Sequence, residues 1–455
     1  MLLKRRNIRP LLLGIYGAAL LYYVLKLVYF AIFVGGFPDE GSHISYVIQM
    51  ARSPALIPDF ATMPRYFTYT VDGNFFIMWQ SKGEVNYLGH PPLYYLFMTL
   101  FGRIEFRPDE VVAVDVHYLR MFNIALTSVA VTIAFSMGLK RLKDRPPLVH
   151  ALYAAAVVTL PELGYVGAAI SNDNMAFFAY VLFFAGLLRY DEGKLDLKTY
   201  LLIGIGFFLG SFSKLTTALV MLIALFAALV VSIVRTKSLK LIANRYFLVT
   251  LPCYLAFLAY ELVLYKRIGA WQPSIALLAP EFYKTTIFYV APEDRVPMGI
   301  FEYFRHFAGS IAHSWSSLYG HDWYVNETMD NSFFGLVYWV PVAGAIAGTV
   351  VQYVKKQADR WALPVVASFL GALAYHFYTV WSTFLRTGYS GGIQARYYLF
   401  LIVPFALIMC ERIPPLFRTK AAKRAGAVLA LLLIAAWLAG DAPRLFFTYF
   451  FDVPY

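Results

Sequence analysis

Hydrophobic residues run along this chain in stretches of about 20, the length an α-helix needs to cross a hydrocarbon core, with short polar turns between them. The pattern predicts spans near 10–35, 118–139, 148–168, 174–190, 199–213, 215–234, 245–266, 333–354, 361–384, 395–411 and 425–440, about eleven helices in all. Two stretches, 36–117 and 268–332, are too long to be turns, and loops of that length in a compact protein usually carry function. Inside the first, 91–103 is apolar but shorter than a crossing, which predicts an interfacial or re-entrant helix. Residues 1–411 read as one membrane module, and 412–455 as a basic turn, a last span and a short tail, with no soluble domain.

Charge then orients the spans. With the N-terminus inside and 91–103 left at the interface, the basic clusters Lys140-Arg141-Leu142-Lys143, Lys194 with Lys198, Arg235 to Lys240, Lys355-Lys356 and Arg412 to Arg424 all fall on the cytoplasmic side. The two long loops are then extracytoplasmic and are expected to fold down over a cavity. Lys4, Arg5, Arg6 and Arg9 precede a first run too long for a signal-peptide core and without a small-residue cleavage site, so a retained span is expected. A content of 60% hydrophobic and 15% charged residues, with a mean hydropathy of +0.60, makes the chain an all-α integral membrane protein of the multi-pass kind. The expected location is the plasma membrane of a bacterium or archaeon. The net charge of +12 sits in the turns between spans, so it argues for membrane orientation and against a nucleic-acid partner. Cys253 and Cys410 lie in apolar runs, which argues against a disulfide framework and a thiolate metal site.

The polar residues that remain gather at one end of the spans. Asp39 and Glu40, in Phe37-Pro38-Asp39-Glu40-Gly41-Ser42-His43, supply the carboxylate base that transfer of a group to a hydroxyl or amine requires. Asp39 also reads as the N-cap of a helix running from Glu40 through Arg52, with His43 and Tyr46 on its surface; a cap residue has a fixed orientation, which suits a base. His90, before Pro91-Pro92, stands where two prolines stiffen the entry to the interfacial helix. Lys214 lies between two spans, where an ammonium can hold a phosphate or snorkel to headgroups. Arg396, in Gln394-Ala395-Arg396-Tyr397-Tyr398, offers a guanidinium fork suited to phosphate, and Arg386 is a second such group; lipid-headgroup contact is the bland alternative for both. Asp173, between Asn172 and Asn174, reads as a helix cap or as a contact to an acceptor or a divalent cation. His306, His313, His321 and Asp322 lie among aromatic residues in a spacing that matches no metal site, and none is assigned.

At these positions the chain resembles the polyprenyl-phosphate-dependent membrane glycosyltransferases of the GT-C fold, the superfamily of protein O-mannosyltransferases and aminoarabinose transferases. Asp39 matches the acidic motif of the first external loop, His90-Pro91-Pro92-Leu93 the proline motif that opens a juxtamembrane helix, and Arg120 the arginine that begins the next span. Ser171-Asn172-Asp173-Asn174, Lys214 and Gln394-Ala395-Arg396-Tyr397 resemble signatures near the donor and acceptor cavities, Ala395 replacing a common glycine. The resemblance implies a polytopic GT-C fold with juxtamembrane helices in the first loop. It implies inverting transfer of a sugar from a polyprenyl-phosphate donor to a glycan, lipid or protein acceptor on the extracytoplasmic face. Asp39 would act as base with Glu40 adjacent; Lys214, Arg396 and Arg386 would hold the donor phosphate; and His43, His90, Asp173, Asn174 and Tyr397 would line the substrate sites. No cofactor is required, and a divalent cation is compatible without being called for. Two other classes meet the same pattern: a transporter or flippase of a lipid-linked saccharide, and an oligosaccharide ligase or polymerase using a pyrophosphate carrier. A transporter is expected to place charges at mid-membrane on broken helices.

Overall fold

The computed structural model describes residues 8–34, 36–37, 39–237, 239–316, 333–355 and 361–450; Lys4 to Arg6, Pro38, His321, Asp322 and Lys356 lie outside them. Helices occupy each of the predicted segments. In chain order they are α1 (Ile8–Phe33), α2 (Glu40–Arg52), α3 (Leu93–Phe101), α4 (Val116–Arg141), α5 (Pro147–Val158), α6 (Pro161–Ala168), α7 (Asn172–Asp191), α8 (Leu197–Ser211), α9 (Leu215–Thr236) and α10 (Arg245–Ile268). After two single turns, α11 (Ile275–Leu278) and α12 (Pro280–Tyr283), come α13 (Ile300–Ser314), α14 (Phe333–Val337), α15 (Val340–Val354), α16 (Ala362–Thr387), α17 (Ile402–Arg412) and α18 (Lys420–Phe450). Among the described residues eight helices are long and apolar enough to cross a membrane; α5 and α6, bent by 52° at Pro161, make a ninth if they form one broken span. The chain is a multi-pass membrane protein.

Three of the expected spans are not simple helices, and the one at 333–354 is divided between α14 and α15. Pro161 cannot donate to the ladder and its ring crowds the carbonyl four residues back, so α5 stops at Val158 and the carbonyls of its last turn need another donor. Lys26 of α1 provides it, its Nζ lying 2.7 Å from the Val158 carbonyl and 2.8 Å from Asp441 of α18. Gly164 leaves room for it, because a Cβ there would come 2.4 Å from the Lys26 side chain and force it to shift. The segment expected at 395–411 starts as a 3₁₀ stretch, Ala395–Leu401, before α17 takes over.

The first long loop is not only helical. α2 and α3 are as predicted, but between and after them stands a four-stranded antiparallel sheet of β1 (Pro64–Asp72), β2 (Phe75–Val85), β3 (Ile104–Phe106) and β4 (Val111–Asp115) in the order β1-β2-β4-β3. Gly73, at φ 59°, makes the tight β1–β2 turn. Tyr66, Met78, Val112 and Val114 of the sheet bury against Ile44, Val47 and Met50 of α2 and Tyr95 and Met98 of α3, and this second core joins the bundle through Leu119, Met175, Phe212 and Tyr260. Gly89 sits where a Cβ would meet the Pro273 carbonyl at 2.2 Å, so the two long loops touch just before His90.

Candidate functional site

Asp39 does stand at the N-cap position of α2, but its side chain caps nothing. The residue adopts φ 62°, ψ −1°, a left-handed conformation uncommon for a non-glycine residue, and makes no side-chain bond to the helix. The carboxylate is turned elsewhere: Oδ1 accepts from the Tyr87 hydroxyl, and Oδ2 pairs with Nη2 of Arg396. Burial pulls the Asp39 carboxyl upward, yet the Arg396 guanidinium and the Tyr87 hydroxyl outweigh it and hold the group down at about 2.

Glu40, one residue on, is fully engaged. Its oxygens accept from Arg120 Nε at 3.0 Å and Nη2 at 2.6 Å, from the Ile170 amide at 3.0 Å and from the Phe37 amide at 3.3 Å. Arg120 also donates to the carbonyls of Ala31 and Val34, both at 2.9 Å, and lies over the Phe37 ring. One buried ion pair thus clamps the end of α1, the start of α4 and the α6–α7 junction beneath Asp39.

A third ion pair, Asp173–Lys214, stands beside that of Asp39 and Arg396. Ser171, not Asp173, is the N-cap of α7, and its Oγ donates to Asp173 Oδ2 at 3.2 Å; Asp173 Oδ1 is then left for Lys214, which sits just before α9. The Lys214 ammonium lies 4.7 Å from the centre of the Tyr397 ring, whose neighbour is Arg396. Asn172 donates to the Ser213 carbonyl at 2.8 Å and so fixes the Lys214 turn. Asn174 ties Asn123 to the Val166 and Ala169 carbonyls, a role in holding helices together.

The two histidines complete the group. His43 and His90 stack at 6.3 Å with ring planes 6° apart, and His43 Nδ1 is 2.9 Å from the Tyr95 hydroxyl. Burial pushes His43 down to about 4 against the pull of Asp39, and burial together with the Lys214 charge pushes His90 down to about 3. Both rings are neutral at pH 7.

The structure therefore gathers Asp39, His43, His90, Asp173, Lys214, Arg396 and Tyr397 in one place, from elements far apart in sequence. Arg386 is not among them: it is exposed on the last turn of α16, its Nε near the Ser382 carbonyl at 3.3 Å. Sequence reasoning missed Tyr87 and Glu162. Glu162, an acid inside an apolar span, is buried on the first turn of α6 and lines a cleft with Phe37, Tyr165, Ser171 and Arg396. Its position in a hydrophobic run was the signal that could have found it.

No protein-family model matches the chain, and no curated protein does. Among solved structures, it is similar to that of ArnT from Cupriavidus metallidurans bound to undecaprenyl phosphate, at 12% sequence identity and a TM-score of 0.43, the match covering 96% of this chain and 78% of that one.

Proposed function

We propose that this chain is a GT-C membrane glycosyltransferase that moves a sugar from a polyprenyl-phosphate donor to an acceptor on the extracytoplasmic face. The observation that carries the reading is the pairing of a partly buried Asp39 carboxylate, which caps no helix, with Arg396, beside Asp173 and Lys214, at the ends of membrane helices. Two carboxylates and two cations balance one another in the resting site. A phosphodiester entering there competes for Arg396 and Lys214, and a guanidinium fork binds phosphate oxygens as well as it binds carboxylate. Arg396 moving from Asp39 to the phosphate removes the main charge that holds the carboxyl down, so Asp39 becomes a competent base once the donor is seated.

The acceptor hydroxyl or amine then gives its proton to Asp39 while its oxygen or nitrogen attacks the anomeric carbon. The bond from that carbon to the phosphate oxygen breaks, and polyprenyl phosphate leaves as an anion held by Arg396 and Lys214. A single displacement inverts the anomeric centre. Glu40 acts at one remove, fixing Arg120 and the backbone under Asp39, and Tyr397 packs against the Lys214 ammonium.

One observation favours the transporter reading: the Lys26–Asp441 pair lies at the break between α5 and α6, where a charged mid-membrane site is expected of a transporter. Against it, that pair is packed against Gly164 and bonded to the Val158 carbonyl, as a structural staple is. Purified protein incubated with a panel of polyprenyl-phosphate sugars tests both readings. Release of polyprenyl phosphate that depends on one sugar and on an acceptor, is abolished in Asp39→Asn, and shows a raised apparent donor KM in Lys214→Ala supports the enzyme. Movement of donor across proteoliposomes without release supports the transporter.

A further inference from the structure

The long loop after α10 was expected to close over a cavity, yet its longest helix presents three faces rather than two. On α13, Tyr303, Phe307 and Ile311 are buried against the bundle. Glu302, Arg305, His306 and His313 occupy a second side at 100° per residue. Between them runs a third stripe, Ile300, Phe301, Phe304, Ala308 and Ala312, which is apolar and open: Phe301 is 87% exposed, Phe304 55% and Ile300 50%. A helix lying on water alone has no use for such a stripe, since large exposed apolar patches mark contact surfaces.

Depth identifies what covers it. Trp361 lies at the end of α16 marked by Arg141 and Arg412, whose guanidinium groups stand over its ring. Phe377, 15 residues along from Ala362, is about 23 Å from that end, inside a hydrocarbon core about 30 Å thick. Phe304 and Phe307 both pack on Phe377, with ring centres 5.6 and 5.3 Å apart. The open stripe therefore meets a membrane span at Phe377, at a depth within the hydrocarbon core.

We propose that the Ile300, Phe301, Phe304 and Ala308 face of α13 is seated in the membrane, covered by lipid acyl chains of the leaflet on the Asp39 side, while Glu302, Arg305 and His306 face water. The seat has a bearing on the glycosyltransfer reading, on which it does not depend. Ser314 Oγ of α13 accepts from the Ala395 amide at 2.8 Å, and His306 Nε2 is 3.2 Å from the Ser390 carbonyl, so the helix borders the segment that carries Arg396.

Nitroxide labels at Phe301→Cys, Phe304→Cys and Arg305→Cys, in a Cys253→Ser/Cys410→Ala background in lipid nanodiscs, read the seat directly. Collisions with oxygen should dominate over those with a water-soluble nickel chelate at 301 and 304, and the reverse should hold at 305. Nickel accessibility at 301 and 304 equal to that at 305 overturns the proposal. A Phe301→Trp variant with native cysteines probes the same seat without labels: acyl-chain bromines should quench its added fluorescence and aqueous iodide should not, whereas quenching by iodide alone overturns the proposal. Neither readout needs turnover, so a failure here is separate from a failure of the enzyme reading.

Discussion

Asp39 is held by two groups of different kinds, and they separate by experiment. Arg396 contributes charge and Tyr87 contributes a hydrogen bond to the ionised form, and both lower the carboxyl against burial. When the donor phosphate draws Arg396 away, Tyr87 alone still favours the anion. Tyr87→Phe is therefore expected to move the acid limb of the kcat profile to higher pH and to lower kcat about tenfold, the worth of one hydrogen bond to a charged group. An unmoved acid limb would show that the Tyr87 contact is lost in the working complex. The histidines give a stability dependence of definite sign. His43 and His90 fall to about 4 and 3 in the folded state, below the ordinary value, so the unfolded chain binds more protons between those values and about 6.5. Stability is full above about 6.5 and declines as pH falls through that window. Melting of wild type against a His43→Gln/His90→Gln variant should show a shallower acid decline in the variant; parallel curves would mean the rings stay hydrated. At this scale the sequence was partly legible, because acids and bases at span ends stand out in an apolar chain. Tyr87 did not stand out, being one of 34 tyrosines in a chain where aromatic rings pack everywhere.

Elements converge on Asp39 because Glu40 and Arg120 lock them. The pair is buried, with both side chains almost without solvent contact, and it is bonded to four backbone groups besides. Breaking a buried pair from one side leaves an uncompensated charge at a cost of about 3–5 kcal/mol. Arg120→Met should accordingly lower the melting temperature sharply and abolish activity, whereas Arg120→Lys, which keeps the charge and loses the fork, should fold and retain a small fraction of kcat with apparent donor KM little changed. A raised donor KM with full kcat in Arg120→Lys would instead put Arg120 in the donor site. The α2 boundaries were readable from Asp39 through Arg52, since cap position and helix pattern agree. The cap bond itself was not, because nothing local reveals that Tyr87 and Arg396 outbid the helix amides for that carboxylate. The sheet was overlooked although its signals were present: β1 carries Tyr-Phe-Thr-Tyr-Thr-Val and ends in Asp72-Gly73-Asn74, a strand followed by a tight-turn sequence. Reading the whole loop by its hydropathy hid a period of two that hydropathy windows average away.

The bundle as a whole followed from hydropathy, because a hydrocarbon solvent forces each crossing segment to satisfy its own backbone and leaves few choices besides helices. Contacts between distant segments were not legible in that way. Lys26 sits in the first span and Asp441 in the last, yet they meet at 2.8 Å, with the Tyr22 hydroxyl donating to the same Asp441 oxygen at 2.6 Å. Trp437 of α18 adds a bond from Nε1 to the Val337 carbonyl at 2.9 Å and accepts one on its own carbonyl from the Tyr338 hydroxyl at 2.7 Å. The last helix is thus keyed into the core by polar groups that have no substitute partner in lipid. A cycle of Lys26→Met, Asp441→Leu and the double variant tests this. Each single change strands one buried charge, and Lys26→Met also orphans the Val158 carbonyl, so each should lower the melting temperature in detergent strongly. The double variant removes both charges together and should be more stable than either single one, while keeping donor binding, because the pair lies below the Asp39 group and not within it. Single effects that simply add in the double variant would mean that the two side chains do not depend on each other, and the keying of α18 would then rest on Trp437 and Tyr338 alone.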